Sequence, residues 1–436
     1  MLSRAVLGLA FVLTQVSAAV FVIRDATLID GTGKPPAPHT TIVVRGERIA
    51  AIGPAAKMTV PKGARIIEGR GRFVIPGLWD MHVHLWEKQN PLPVYIAYGV
   101  TGVRDMGSDF DRTVKWRQAA ETGKAIGPHV VTSGPAVDGR PSREPKLPVI
   151  VAATPEDGRR AFDRLDEMDV DFIKVLSSLP HDSFIALAER ARKWRMAFAG
   201  HVPATVTVDE ALDARISSME HLFGLFAACA KDQTRRLETF DERKARDLFR
   251  KSALMETRQT PTLTLWERMA YIGVEERVRD PRMRHVPASV RASWPKPEEE
   301  IKGAAAEGIG DMRRQTDLAM RMVKMMQECG VEIMAGTDTG DPYTVPGFTL
   351  HRELELLVKA GLTPMQALRS ATAIPAKYLD WDESVGTVKK GMVADLVLLD
   401  ANPLADIRNV ARIHGVSIRG RYLTKAWITQ TLAAVK

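Results

Sequence analysis

Two histidines, His82 and His84, stand one residue apart in the stretch GLWDMHVHLW. On an extended strand, side chains alternate faces, so both imidazoles point the same way and Asp80 shares their face. Such a pair can grip a divalent metal ion. It is a weak signal alone, because a chain with 10 histidines in 436 residues shows some His-x-His by chance roughly once in four or five cases. The signal strengthens further along the chain. Lys174 ends the apolar run VDFIKVLSS, His201 ends MAFAGHVP, His221 ends ISSMEHL, and Asp338 ends EIMAGTDTG. Imidazole and carboxylate donors suit Zn²⁺ and related ions, and the chain's two cysteines, Cys229 and Cys329, are too few for a thiolate site. They are available for one disulfide in an oxidising compartment. Lys174 is the unusual member. Burial on a strand lowers a lysine's pKa and favours the neutral amine. A neutral amine can take up carbon dioxide as a carbamate, an anionic group able to bridge two metals.

The elements that must position these residues follow from the pattern of the chain. Apolar runs (GLWDMHVH, GVTGVRDMG, HVVTSGPAV, VDFIKVLSS, MAFAGHVP, ISSMEHL, TPTLTL, EIMAGTDTG) alternate with helix-length amphipathic segments such as PEDGRRAFDRLDEMD and DSFIALAERARKW. Eight strand candidates alternating with helices predict an α/β fold, a (β/α)8 TIM-like barrel, whose site lies at the C-terminal strand ends. The candidate ligands stand at those ends. The barrel is placed at residues 76–380, with a helix-rich insertion around 226–330. Residues 20–75 and 381–436 are β-rich, with FVIRDATLID and TIVVRGERIAAIG at one end and SVGTVKKGMVADLVLLD at the other. They are expected to meet in one small β-sandwich.

Residues 1–19, MLSRAVLGLAFVLTQVSAA, carry Arg4, an apolar run and small residues at the end, the layout of a secretory signal peptide. The expectation is a secreted or periplasmic protein. Removal of that segment takes the formal charge from +8 to +7. No apolar run reaches membrane-spanning length, and no basic run interleaved with aromatics points to nucleic acid.

In its motifs PGLWDMHVHL, DFIKV, GHVP, MEHL and GTDTG, taken in order, the chain resembles the amidohydrolase superfamily of the binuclear kind, over nearly the whole length after residue 19. It is most similar to bacterial prolidase-like and imidazolonepropionase-like members. The resemblance implies that His82, His84 and Asp338 hold the more buried of two metal ions and that His201 and His221 hold the other. It further implies a carboxylated Lys174 bridging the two ions with a hydroxide between them. The ions would lower the pKa of that water to roughly 7. Asp338 would be the catalytic residue, passing a proton from the attacking hydroxide to the leaving nitrogen. Deaminases of the superfamily usually carry His-x-x-Glu after the fifth strand. Here Val202, Pro203 and Ala204 follow His201, which speaks against a mononuclear deaminase.

The expected activity is hydrolysis of an amide or cyclic amide. The alternatives are a secreted dipeptidase or carboxypeptidase of prolidase-like type, and a metal-holding binding protein without catalysis. The peptidase-like members commonly carry a Gly-Gly-His-like segment after the third strand. This chain has SGPAVDGRPSREP there, where Arg140 and Arg143 could receive an anionic group. The expected partner is a small amide or peptide-like molecule, with a homo-oligomer allowed for. Arg104 at the end of the second strand, Tyr343 after Asp338 and His351 at the start of the next helix are the candidate substrate contacts. Glu220, next to His221, alternates to the other face and is expected to be structural, as are Trp79 and Trp86. Gly336 and Gly340 flank Asp338 and would allow close approach of backbone.

Overall fold

The computed structural model describes residues 20–86, 89–142, 147–271, 280–296 and 309–435. The expected signal segment 1–19 and Arg143 lie outside the described residues.

The first β-rich segment forms β1 (Val20–Leu28), β2 (Ala37–Arg45), β3 (Arg48–Pro54), β4 (Arg65–Glu68) and β5 (Phe73–Pro76). These runs are rich in β-branched residues and are separated by Gly and Pro clusters that break pairing. Next come β6 (Leu78–Val83), β7 (Val100–Asp105), β8 (His129–Thr132), β9 (Ala136–Asp138) and β10 (Val149–Val151). They are followed by β11 (Ile173–Val175), β12 (Phe198–Gly200), β13 (Ser218–Glu220) and β14 (Arg258–Thr260). The chain closes with β15 (Leu396–Leu399), β16 (Ile413–Ile418) and β17 (Arg421–Thr424).

The two ends of the chain do meet. One eight-stranded sheet runs β17-β16-β15-β5-β1-β2-β3, with β4 also paired to β1. Its seam is the antiparallel pairing of β15 with β5, Leu396 opposite Pro76. Phe21, Ile23, Ile42, Val44, Val74 and Leu398 of this sheet share one buried apolar cluster. Gly77 then hands the chain from β5 into β6, its N–H donating to the Asp395 carbonyl.

The named strands in the middle of the chain, β6 to β14, all pair in parallel. β6-β7-β8 form one sheet and β10-β9-β11-β12-β13-β14 another. Helices stand between most strands. Residues Pro155–Glu167 form a helix whose N-cap, Thr154, makes a capping box with Asp157. His181–Trp194 follows and ends on Arg195 in the left-handed region. Both lie between strands, as the amphipathic spacing predicts. The two parallel sheets are joined by the Asp171 N–H, which donates to the Thr132 carbonyl at 3.0 Å.

Two predicted strands differ. TPTLTL is not a strand: β14 ends at Thr260, and Leu263–Ala270 is helical. Thr262 turns the chain with φ at +45°, and helix-forming Leu, Trp, Glu and Met follow it. The eighth run makes only single parallel bridges, Gln259 with Ile333 and Val83 with Thr339. Asp338 has φ at +61°, which interrupts any regular ladder. Separate backbone bonds hold this run to β6 instead: Met81 N to Ala335 O, Asp338 N to His82 O, and His84 N to Thr339 O.

The 226–330 region is helix-rich where described, including Glu242–Leu254 and the long helix Ile309–Glu328. The latter packs on Leu263–Ala270. Cys229 and Cys329 are free thiols. Among the described residues no helix is long and apolar enough to cross a membrane.

Candidate metal centre

The fold brings the predicted ligands together. His82 lies in β6 and His84 just beyond it. Lys174 lies in β11, and His201 and His221 directly follow β12 and β13. The rings of His82 and His84 are 5.5 Å apart, those of His82 and His221 4.4 Å, and those of His201 and His221 5.1 Å. Asp338 Oδ1 stands 3.3 Å from Nε2 of both His82 and His84. One ligand atom from each of His82, His221 and Asp338 falls within a 4.8 Å group.

Each histidine is anchored through the same ring nitrogen. His82 Nδ1 donates to Glu220 Oε2 at 2.8 Å, and His84 Nδ1 donates to the Gly107 carbonyl at 2.9 Å. His201 Nδ1 pairs with Ser177 Oγ, and His221 Nδ1 with Thr262 Oγ1, each at 2.7 Å. With every Nδ1 occupied, every Nε2 is left for the centre. This is the arrangement by which outer partners orient metal-ligating imidazoles.

Two buried polar atoms at the centre have no hydrogen-bond partner, His82 Nε2 and Lys174 Nζ. Orphaned buried donors and acceptors are rare and costly. Here both face a set of nitrogen and oxygen donors free of thiolate, which fits divalent cations. Lys174 is 1% exposed. Burial pushes its ammonium down to about 8, with Arg104 adding to the effect and Glu220 and Asp338 opposing it. Burial, then the charge of Lys174, also holds His82 well below the usual imidazole range. Burial disfavours ionisation of Asp338, but the surrounding imidazoles outweigh it and keep its carboxyl well below the ordinary carboxylate range.

The glycines around Asp338 are required by space. A Cβ on Gly336 would meet Thr260 at 2.5 Å and His82 at 2.9 Å, and one on Gly340, whose φ is +126°, would meet the His84 carbonyl at 2.7 Å. Asp80 ties the two strands together beneath the site, accepting from Thr337 N at 3.1 Å and from Thr337 Oγ1 at 2.7 Å.

Three side chains depart from expectation. Arg104 cannot receive a substrate carboxylate. It is fully buried and donates to the Met81 carbonyl, Ser218, Tyr378, Glu220 and Thr260. His351 is also buried away from the centre, its Nε2 donating to the Tyr98 carbonyl at 2.8 Å and its ring packed on Tyr98 and Phe348. Glu220 is more than a framework residue: it is the carboxylate behind His82, and its other oxygen accepts from Arg104 at 2.8 Å. Alternation failed to find it because His221 has φ at +61°. The strand rule stops at Glu220, and the side chains of Glu220 and His221 both reach the His82 ring. Tyr343 donates its hydroxyl to the Pro295 carbonyl and packs on Trp294. Trp86 stacks on His84 at 4.4 Å. Ser177, Thr262, Trp86 and Glu220 lie within the runs that carry the ligands or border them, but nothing in their spacing marked them as partners of the histidines. Only their contacts reveal them.

Known proteins share this fold. Ochratoxinase of Aspergillus niger is 22% identical over 90% of this chain and 83% of its own, and its crystal structure superposes with a TM-score of 0.69 at 20% identity, over 94% of this chain and 96% of its own. A Xaa-Pro dipeptidase crystal structure with bound methionine has a TM-score of 0.70 and 23% identity, covering 93% of this chain and 100% of its own. An adenine deaminase of Rubrobacter xylanophilus is 41% identical over 93 residues, which is 21% of this chain and only 15% of the deaminase. These structural likenesses speak for the fold, a mixed α/β architecture of the amidohydrolase type. The model of the amidohydrolase family matches residues 73–423, so the chain belongs to the amidohydrolase family and is a hydrolase of carbon–nitrogen bonds.

Proposed function

We propose that this protein hydrolyses an amide or cyclic amide at a centre of two divalent ions, zinc by the character of the donors. The observation that carries the reading is the pair of orphaned buried atoms, His82 Nε2 and Lys174 Nζ, among histidines whose Nδ1 atoms are all anchored. In this reading His82, His84 and Asp338 would hold one ion and His201 and His221 the other, with Lys174, as its carbamate, completing the donor set. When bound, the ions supply ionised water at neutral pH and polarise the substrate carbonyl. Asp338, kept ionised by its imidazole neighbours, takes the proton of the attacking water and delivers it to the leaving nitrogen. Glu220 and Arg104 hold the His82 ring in one tautomer throughout.

The architecture is part of the same proposal. The parallel strands and the bridges at Ile333 and Thr339 close into a (β/α)8 barrel over residues 76–380. The terminal sheet folds over its own apolar cluster as a sandwich of residues 20–75 and 381–436. Residues 1–19 direct export to the periplasm or beyond, on the strength of their layout.

A peptidase on the same scaffold is a second reading, favoured by the likeness to a Xaa-Pro dipeptidase. One experiment addresses both readings. Metal content is measured on the purified protein, and turnover is screened over acyl-amino acids, cyclic amides and dipeptides, X-Pro included. The expected result is two ions per chain, hydrolysis of at least one class, and loss of turnover with metal retained in Asp338→Asn. A metal count near one per chain, or full activity in Asp338→Asn, overturns the binuclear reading. Tight ligand binding with no turnover of anything would make it a binding protein.

A further inference from the structure

We infer that the substrate carries, on one side of its scissile amide, a large aromatic group ending in an anionic substituent, and that a cavity beside His201 and His221 receives that group. This deepens the hydrolase reading above and rests on it.

A cavity of about 720 Å³ is bounded in part by Ser177 and Phe223. These are the side chains that touch the outer histidines: Ser177 Oγ is 2.7 Å from His201 Nδ1, and the Phe223 ring is 5.0 Å from His201 and 4.9 Å from His221. The cavity therefore adjoins the His201 and His221 side of the centre through these two side chains. Its volume lies within the roughly 300–1,000 Å³ of sites for drug-sized ligands. An acetyl or glycyl group would leave most of it unfilled.

Its wall is aromatic and fixed. Trp266 donates Nε1 to the His221 carbonyl at 3.0 Å, and its ring stands 5.1 Å from Phe226 and 6.1 Å from Phe223. Planar groups stack or meet edge-on at such spacings. Met269 and Met312 complete the wall with adaptable thioethers. These two come from the 226–330 insertion, which thereby gains a role: it builds the substrate side of the site.

The charge of the cavity is one-sided. Among the described residues no Asp or Glu lines it, whereas Arg236 does. Arg236 has no ion-pair or hydrogen-bond partner among the described residues, and the acids of its own loop are engaged. Asp232 caps Thr234, and Glu238 accepts from Arg314. A free guanidinium at the edge of an apolar pocket favours a carboxylate or similar anion and disfavours an amine.

The test uses the full-length, metal-loaded protein. Amides are compared in pairs, with acetyl against carboxynaphthyl groups placed on the acyl side or the amine side. Cavity-filling variants Ala227→Trp and Met269→Trp approach from two directions, so a folding failure in one leaves the other. Binding of 2-naphthoate, followed by quenching of tryptophan fluorescence or by calorimetry, needs no turnover. Wild type should prefer the carboxynaphthyl amide by about tenfold or more in kcat/KM. Either filling variant should bring the ratio close to one and weaken 2-naphthoate binding. Arg236→Gln should raise KM for the anionic amide severalfold without lowering kcat, and should erase discrimination against 2-naphthylmethylamine. A size preference that survives both filling variants, or 2-naphthoate binding unchanged in them, overturns the inference even if small amides are hydrolysed well. If no amide of any size is hydrolysed, the hydrolase reading fails. In that case loss of 2-naphthoate binding in the filled variants still supports the cavity, and unchanged binding sinks it.

Discussion

Replacing Glu220 with Gln separates what holds the centre from what holds the fold. Glu220 accepts from His82 Nδ1 and from Arg104, each at 2.8 Å, and all three side chains are fully buried. Gln keeps the shape and can still accept one hydrogen bond, but it removes the only charge opposing Arg104 at this contact. Breaking a buried ion pair costs about 3–5 kcal/mol. The hydrogen bonds of Arg104 to the Met81 carbonyl, Ser218 and Tyr378 persist, so the low end, about 3 kcal/mol, is expected. The metal effect is separate. Loss of an outer partner typically weakens affinity about 10–100-fold, or ~1.4–2.7 kcal/mol. Two measurements read these terms apart: urea unfolding of the metal-free protein, and competition for zinc with a chromophoric chelator. A second variant, Arg104→Met with Glu220→Leu, removes both charges. Apolar replacement of a buried pair is often neutral or stabilising, so stability should largely return. Zinc affinity should stay low, because His82 Nδ1 still lacks its acceptor. Zinc affinity within twofold of wild type in Glu220→Gln would refute the reasoning. So would a double variant that regains metal affinity together with stability.

Lys174→Ala should lower metal content from two ions per chain towards one and abolish most turnover, with partial rescue by added short-chain carboxylic acids; elemental analysis and rate measurements check this. Stripping the metal with a chelator should lower the unfolding temperature, and zinc should restore it, by about 2.7 kcal/mol at a free concentration of 100 times Kd. Glu353, fully buried, accepts from Leu263 N and Thr264 N at 2.9 and 2.8 Å, and burial pushes its carboxyl up to about 7 in spite of those bonds. A folded pKa above the unfolded value means that the folded state binds more protons between the two. Stability should therefore fall by up to ~3 kcal/mol as pH rises from about 4.5 to above 7. In Glu353→Gln the overall stability should drop, since the amide cannot accept from both N–H groups, but this part of the pH slope should vanish; urea midpoints across that range decide it.

The candidate ligands were legible because metal chemistry narrows the usable side chains to a few types and because barrel sites gather at strand ends. His82, His84, Lys174, His201, His221 and Asp338 could thus be picked out from runs far apart in the chain. Arg104 and His351 stand at such positions too, yet both are enclosed away from the centre. Position at a strand end or helix start says where a Cα lies. It does not say that Arg104 has enough carbonyl, hydroxyl and carboxylate partners to be enclosed completely, or that the Tyr98 carbonyl waits for His351. TPTLTL was misread for a related reason. Its period-two alternation suits a strand, but Thr262 in the left-handed region turns the chain, and Glu353, 90 residues away, secures the first N–H groups of the helix that follows.

By itself the sequence determined the ligand types, their order and the alternation of strand and helix, since these depend on local periodicity and on donor chemistry. Only the tertiary structure decided which nitrogen of each histidine faces the centre, which carboxylate stands behind His82, and where a cavity opens. Each of these depends on distances between segments far apart in the chain. Glu220 shows the difference: by alternation it belongs to the opposite face from His221, yet the left-handed backbone at His221 and the packing of β6 near β13 place its carboxylate 2.8 Å from the His82 ring.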